Sequence, residues 1–166
     1  MIPLLNVRET FTPADHQTHR RYPFEVPPAC AELRIWVRYT PKHLTAQESF
    51  VLIEAAVGRQ IADLATQVGE AMAARWATGL GQPAKGSRVG NLLTVSLDDA
   101  EGTYRGAGHR QANDQRLALG PTTASPGLIA GPLPPGTWTL TLSAHTLVSA
   151  QCELAIQIDA ETASSC

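Results

Sequence analysis

Basic residues are not in excess here. Thirteen lysines and arginines stand against fifteen aspartates and glutamates, for a net charge of −2. A dedicated nucleic-acid binder carries a clustered positive face, so that partner is not expected. Long apolar runs are missing too. None approaches the ~18 residues of a membrane span, so no membrane association is expected. The stretch Met1 to Arg21 has only a short apolar start and carries charges throughout, unlike a secretory signal. Cysteine is scarce, with Cys30, Cys152 and Cys166 and no Cys-x-x-Cys pair, which excludes a structural zinc knuckle. With no export signal, the thiols are read as reduced and the protein as cytoplasmic. What is present is apolar enough to bury a core: 43% hydrophobic and 17% charged residues over 166 positions, the size of one domain with room for an insertion.

Proline is absent from Lys42 to Gln82, although six prolines lie at or before position 41 and six at or after position 83. Proline breaks helices, so this gap reads as a helical island of about residues 44–80 inside a different architecture. Thr45-Ala-Gln-Glu48 forms a capping-box pattern. Phe50, Ile53, Val57, Ile61, Leu64, Val68, Met72 and Trp76 then recur at helical spacing. Arg59 and Asp63 are spaced for an i,i+4 ion pair. Gly79, Gly81 and Pro83 supply the stop. An unbroken helix of this length would be roughly 50 Å long. A common strand spans only about 17–20 Å. The helix therefore either breaks, at Gly58 or Gly69, or projects onto a second copy. A homo-oligomer through Phe50, Val57, Ile61, Val68, Met72 and Trp76 is the favoured expectation. A helical hairpin folded on its own strands is the alternative.

The remainder alternates with the period of β-strands. Leu33, Ile35, Val37 and Tyr39 alternate with Arg34, Trp36, Arg38 and Thr40. Leu93 to Asp98, Thr137 to His145 and Cys152 to Ile158 behave alike. Shorter candidates are Tyr22 to Val26 and Arg116 to Leu119. Cys152 is in phase with Leu154 and reads as a small buried hydrophobe. The last two strands, joined by a short link, are expected to form an antiparallel hairpin. Glycine- and proline-rich turns separate the strands. Together they predict a mainly β chain, an antiparallel β-sandwich or jelly roll, forming one domain interrupted by the helical insertion at 42–82.

Familiar catalytic signatures are missing. There is no Gly-x-Ser-x-Gly elbow and no His-Glu-x-x-His. Gly81-Gln-Pro-Ala-Lys-Gly-Ser87 has the wrong order for a phosphate loop and leaves a helix instead of opening one. The most loaded stretch is Gly102-Thr-Tyr-Arg-Gly-Ala-Gly-His-Arg110. Its glycines allow close backbone approach, and Arg105, His109 and Arg110, with His145, could present donors to an anion or a sugar. The competing reading is a wide turn whose arginines are solvated or pair with Asp98, Asp99 and Asp114. His16 and His19 beside Asp15 are the weak metal candidates, since a site would need several such groups to converge. Trp36, on the charged face of its strand, either stacks on a sugar ring or lies under the insertion, and the second is favoured.

Several phrases together resemble a known family. They are Phe24-Glu-Val-Pro-Pro28, Leu33-Arg-Ile-Trp-Val-Arg-Tyr-Thr-Pro41, Asn91-Leu-Leu-Thr-Val-Ser-Leu97, Tyr104-Arg-Gly-Ala-Gly-His-Arg110 and Ser125-Pro-Gly-Leu-Ile-Ala-Gly-Pro-Leu-Pro-Pro-Gly-Thr-Trp138. They look like the N-terminal β-sandwich region that precedes the PHP-type catalytic domain of bacterial CehA/McbA family metallohydrolases. In that family, metal-dependent hydrolysis belongs to the following PHP domain, which begins with a His-x-His pair. This sequence contains no His-x-His, so no catalytic residue and no cofactor carry over. The resemblance implies a PHP-type hydrolase as a possible partner. Three functions follow. A non-catalytic module for assembly, or for positioning a metallohydrolase or small ligand, leads. A ligand or carbohydrate binder using Arg105, His109, Arg110 and His145 is second. A metal-dependent hydrolase using His16, His19, His109 and His145 is third.

Overall fold

A computed structural model describes residues 1–79 and 86–162. Within these, the chain is mainly β, with eight strands and two helices. The strands are β1 (Ile2–Phe11), β2 (Thr18–Val26), β3 (Cys30–Thr40), β4 (Leu92–Asp98), β5 (Tyr104–Ala107), β6 (Asp114–Leu119), β7 (Gly136–Thr146) and β8 (Cys152–Thr162). They form two four-stranded antiparallel sheets, β1-β8-β3-β6 and β2-β7-β4-β5. The alternation seen in the sequence sets which side chains point inward. Leu33, Ile35, Val37 and Tyr39 of β3 and Leu154, Ile156 and Ile158 of β8 meet Leu93, Val95 and Leu97 of β4 and Trp138, Leu140 and Leu142 of β7 in one core. Each such side chain, fully buried, contributes about 1.5–3 kcal/mol. Cys152 joins that core as expected.

Three strand features differ from expectation, the first being β5, which lies in the stretch read from the sequence as a glycine-rich turn. β7 and β8 are not a hairpin: β7 pairs with β2 and β4, and β8 with β1 and β3. The link between them crosses from one sheet to the other, and buried Leu147 and Ser149 tie it down. The N-terminal stretch, which is not among the strand candidates, forms β1, edge partner of β8.

The strands and the insertion form separate compact units, Met1–Lys42 with Gly90–Cys166, and His43–Val89. In the second unit, α1 (Ala46–Val68) starts at an N-cap Thr45 whose hydroxyl accepts from Glu48 N–H, while the Glu48 carboxylate accepts from Thr45 N–H at 2.8 Å. The helix runs through Gly58 and ends at Gly69, where φ is +85°. That region is open to glycine at little steric cost. Gly69 N–H donates to Ala65 C=O, and Gly69 C=O accepts from Ala73 N–H, so one residue closes α1 and opens α2 (Glu70–Gly79). Of the two expected break points, the chain uses Gly69. The Arg59–Asp63 pair does not form within 4.0 Å. Gly81, Pro83, the rest of the phosphate-loop-like stretch up to Lys85, and Cys166 lie outside the described residues. No helix among the described residues is long and apolar enough to cross a membrane.

Candidate functional site

The glycine-rich stretch is largely a folding element. Asp99 N–H and C=O bond Thr103 C=O and Gly102 N–H across a tight turn, and Asp99 Oδ1 accepts from Glu101 and Thr103 N–H. The chain then enters β5, where Arg105 points inward and is only 4% exposed. Its guanidinium donates to the carbonyls of Ile129 (3.2 Å), Gly131 (3.1 Å) and Pro132 (2.7 Å) and to Asp99 Oδ2 (3.4 Å). It also sits 5.2 Å from the Trp138 ring centroid, within cation–π range. The segment Gly127–Ile129 pairs along β5 through Ala107 N–H to Gly127 C=O and Ile129 N–H to Arg105 C=O, both 2.9 Å. That approach requires glycine: a Cβ on Gly106 would lie 2.2 Å from the Gly127 oxygen, and one on Gly127 would lie 2.3 Å from the Ala107 oxygen. The Arg-Gly-Ala-Gly-His-Arg and Ser-Pro-Gly-Leu-Ile-Ala-Gly phrases thus fold onto each other.

The four proposed ligand residues do not converge. Arg105 is interior, with its donors committed, because an inward guanidinium on a short strand must be satisfied by carbonyls or suffer a heavy desolvation cost. His109 and Arg110 are exposed in the turn after β5. There the His109 N–H donates to Gln115 Oε1 at 2.6 Å, and its Nδ1 accepts from Gln111 N–H at 3.2 Å. His145 lies on the outer face near the far end of β7, where its Nε2 is 2.8 Å from Thr94 Oγ1. Seven residues of strand, roughly 24 Å, separate it from Trp138, which points to the opposite face.

The metal candidates do not cluster either. His16 follows the short 3₁₀ turn Pro13–Asp15, and Asp15 is engaged by Arg20 at 2.7 Å. The Thr12 N–H, together with that guanidinium, holds the Asp15 carboxyl below its usual range. His19 Nδ1 lies 2.8 Å from Ser143 Oγ on the outer face of the second sheet. Among the described residues, no three His, Cys, Asp or Glu side chains are placed to hold a metal ion.

On the helical unit, the expected stripe is only partly covered. Val57 and Ile61 are half-buried, whereas Phe50, Val68, Met72 and Trp76 are 43%, 41%, 43% and 52% exposed. Val51 and Leu52, off the expected stripe, are exposed as well. Of the 23 residues of α1, only Ser49 is fully buried, and its hydroxyl accepts from Val89 N–H at 3.1 Å.

The outer face of the β1-β8-β3-β6 sheet carries a second constellation. Register aligns Asn6, Gln157, Trp36 and Arg116 in one row across the four strands. The row on one side is Arg8, Ala155, Arg38 and Asp114, and that on the other is Pro3, Asp159, Arg34 and Ala118. Small Ala155 and Ala118 among long side chains leave two open grooves beside Trp36. One, of about 490 Å³, is lined by Arg34, Trp36, Arg116, Ser125, Gln157 and Asp159 among others. The other, of about 480 Å³, is lined by Arg8, Trp36, Arg38, Thr40, Glu153 and Ala155 among others. The indole N–H donates to Asp114 Oδ1 at 2.9 Å, and the Arg116 guanidinium lies 5.7 Å from a Trp36 ring centroid, so the ring is held in place. Arg34 is tied to Glu32 and Glu161, both at 2.7 Å, and Arg38 reaches Asp114 only at 3.9 Å. The sequence flags Trp36 between Arg34 and Arg38. It does not flag Arg8, Arg116 or Gln157, which only strand pairing brings beside them.

No protein-family model matches this chain, and no curated protein matches it.

Proposed function

We infer that this chain is a non-catalytic, jelly-roll-like β-sandwich module that assembles with a second copy of itself through the His43–Val89 helical unit. The reading rests on the exposed apolar side chains of the helical unit. Among the described residues, six of the ten exposed large apolar side chains, Phe50, Val51, Leu52, Val68, Met72 and Trp76, belong to this unit. Apolar side chains left exposed in such a group mark an interaction site more often than a solvated face. A second copy of the same apolar helices offers a matching surface, and closed two-fold pairing is the commonest form of self-association. The cytoplasmic assignment is part of the same proposal and is supported by the two buried, unpaired thiols Cys30 and Cys152. A PHP-type metallohydrolase is the other proposed partner, supported only by the likeness of the loop phrases.

Light scattering coupled to size exclusion tests the assembly. The wild-type protein is expected to elute at a multiple of the chain mass, and Met72→Asp or Val68→Asp is expected to shift it to one chain mass with an unchanged far-UV spectrum. A wild-type protein of one chain mass at high micromolar concentration refutes self-association. So does an oligomer that neither substitution disturbs.

A further inference from the structure

We propose that the outer face of the β1-β8-β3-β6 sheet binds a linear acidic oligosaccharide, one sugar ring stacking on Trp36 and carboxylates meeting Arg8 and Arg116. The site goes beyond the assembly reading and uses none of its residues. Trp36 supplies a flat apolar surface, fixed by the bond to Asp114, that lines both grooves. Stacking of a ring on an indole is a recognition mode that tolerates an open site. Arg8 and Arg116 lie on the strands at either end of the rows, three strand spacings or roughly 14 Å apart across the sheet. Neither has a carboxylate within 4.0 Å among the described residues. A guanidinium prepared in this way suits a carboxylate group, which it can meet bidentately.

The lining also contains acceptors. Glu153 lies in one groove, Asp159 in the other, and Gln157 Nε2 donates to Asp159 Oδ2 at 2.7 Å. A ligand that only accepts hydrogen bonds, such as polyphosphate, would meet repulsion there. A sugar acid offers hydroxyl donors to Glu153 and Asp159 and carboxylates to the arginines. An acidic peptide fits less well, because extended peptides gain most of their affinity from backbone bonds at a sheet edge. This is a sheet face, where strand amides are already paired.

Calorimetric titration of the full chain with a galacturonate hexasaccharide tests the proposal, against a neutral glucose hexasaccharide, hexaglutamate and polyphosphate. The galacturonate is expected to bind most tightly, with affinity falling as salt rises. Trp36→Ala is expected to weaken binding about tenfold, the equivalent of about 1.4 kcal/mol. Arg8→Gln and Arg116→Gln are expected to weaken it several-fold each and to flatten the salt dependence. Ala155→Phe fills one groove without touching the core, and is expected to weaken binding in a protein that melts like wild type. Absence of galacturonate binding at millimolar concentration overturns the proposal. So does binding that Trp36→Ala and Ala155→Phe leave intact, or equal binding of hexaglutamate or polyphosphate.

Discussion

Replacing Arg105 with alanine is expected to destabilise the protein by about 3–5 kcal/mol, the usual consequence of removing one partner from a buried charge pair. Both partners are interior: the side chains of Arg105 and Asp99 are 5% and 6% exposed. Without the guanidinium, Asp99 keeps only the amides of Glu101 and Thr103. The carbonyls of Ile129, Gly131 and Pro132 lose their donors, and each buried orphan costs about 1–3 kcal/mol unless water reaches it. Against a typical domain stability of about 5–15 kcal/mol, this is a large fraction. Arg105→Lys should recover only part of the loss, because an ammonium is a point charge with three donors where the guanidinium fork has five. Asp99→Asn keeps an acceptor for the turn amides but leaves the buried guanidinium without its counter-charge, so it should cost about 3 kcal/mol, the lower end of that range. Equilibrium urea unfolding followed by far-UV circular dichroism measures all three, and a double-mutant cycle isolates the Arg105–Asp99 coupling. An Arg105→Ala protein within about 1 kcal/mol of wild type would refute this account and restore Arg105 as a solvated residue free to meet a ligand.

Two further outcomes follow from groups in the core. Asn91→Ala should cost about 3 kcal/mol in the same urea experiment, because the Asn91 amide donates to Pro41 C=O and Ser149 Oγ and accepts from Val148 N–H, leaving buried groups unpaired; a loss below about 1 kcal/mol would contradict it. Burial pushes the Cys152 thiol up to about 11 from an ordinary 9.0. The unfolded chain therefore releases this proton first, so stability should fall as pH rises from about 9 toward 11, by up to about 1.4 kcal/mol per unit. Burial raises the Cys30 thiol in the same direction. Cys152→Ala should flatten the fall, and an identical pH dependence in that variant would show that Cys152 is not its source.

Much of this architecture is legible in local patterning. The capping box at Thr45 and Glu48, the break at a glycine and the alternation of β3, β4, β7 and β8 depend on neighbours a few residues away, and such features survive into the fold. β1 is hidden because Glu9 occupies the inward phase shared by Val7 and Phe11. Its carboxylate is held there by Arg20 at 2.6 Å and Tyr22 Oη at 3.0 Å, partners no alternation rule supplies. β5 is hidden for the same reason, since Arg105 is a charge at an inward position. The outer-face rows are illegible because β8 inserts between β1 and β3, and sequence order gives no sign of that pairing. The exposure of Val51 and Leu52 escapes a stripe drawn at helical spacing, which assumes a single covered side.

One backbone bond has a wider meaning. Asn91 N–H donates to Lys42 C=O at 2.9 Å, so the residues where the strand unit releases the chain and takes it back are direct neighbours. Whatever joins two abutting stalks can be long, short or of another kind without stretching either sheet. The His43–Val89 stretch is therefore an exchangeable cassette: the same strand body could carry a different attachment on that spot and keep its own fold.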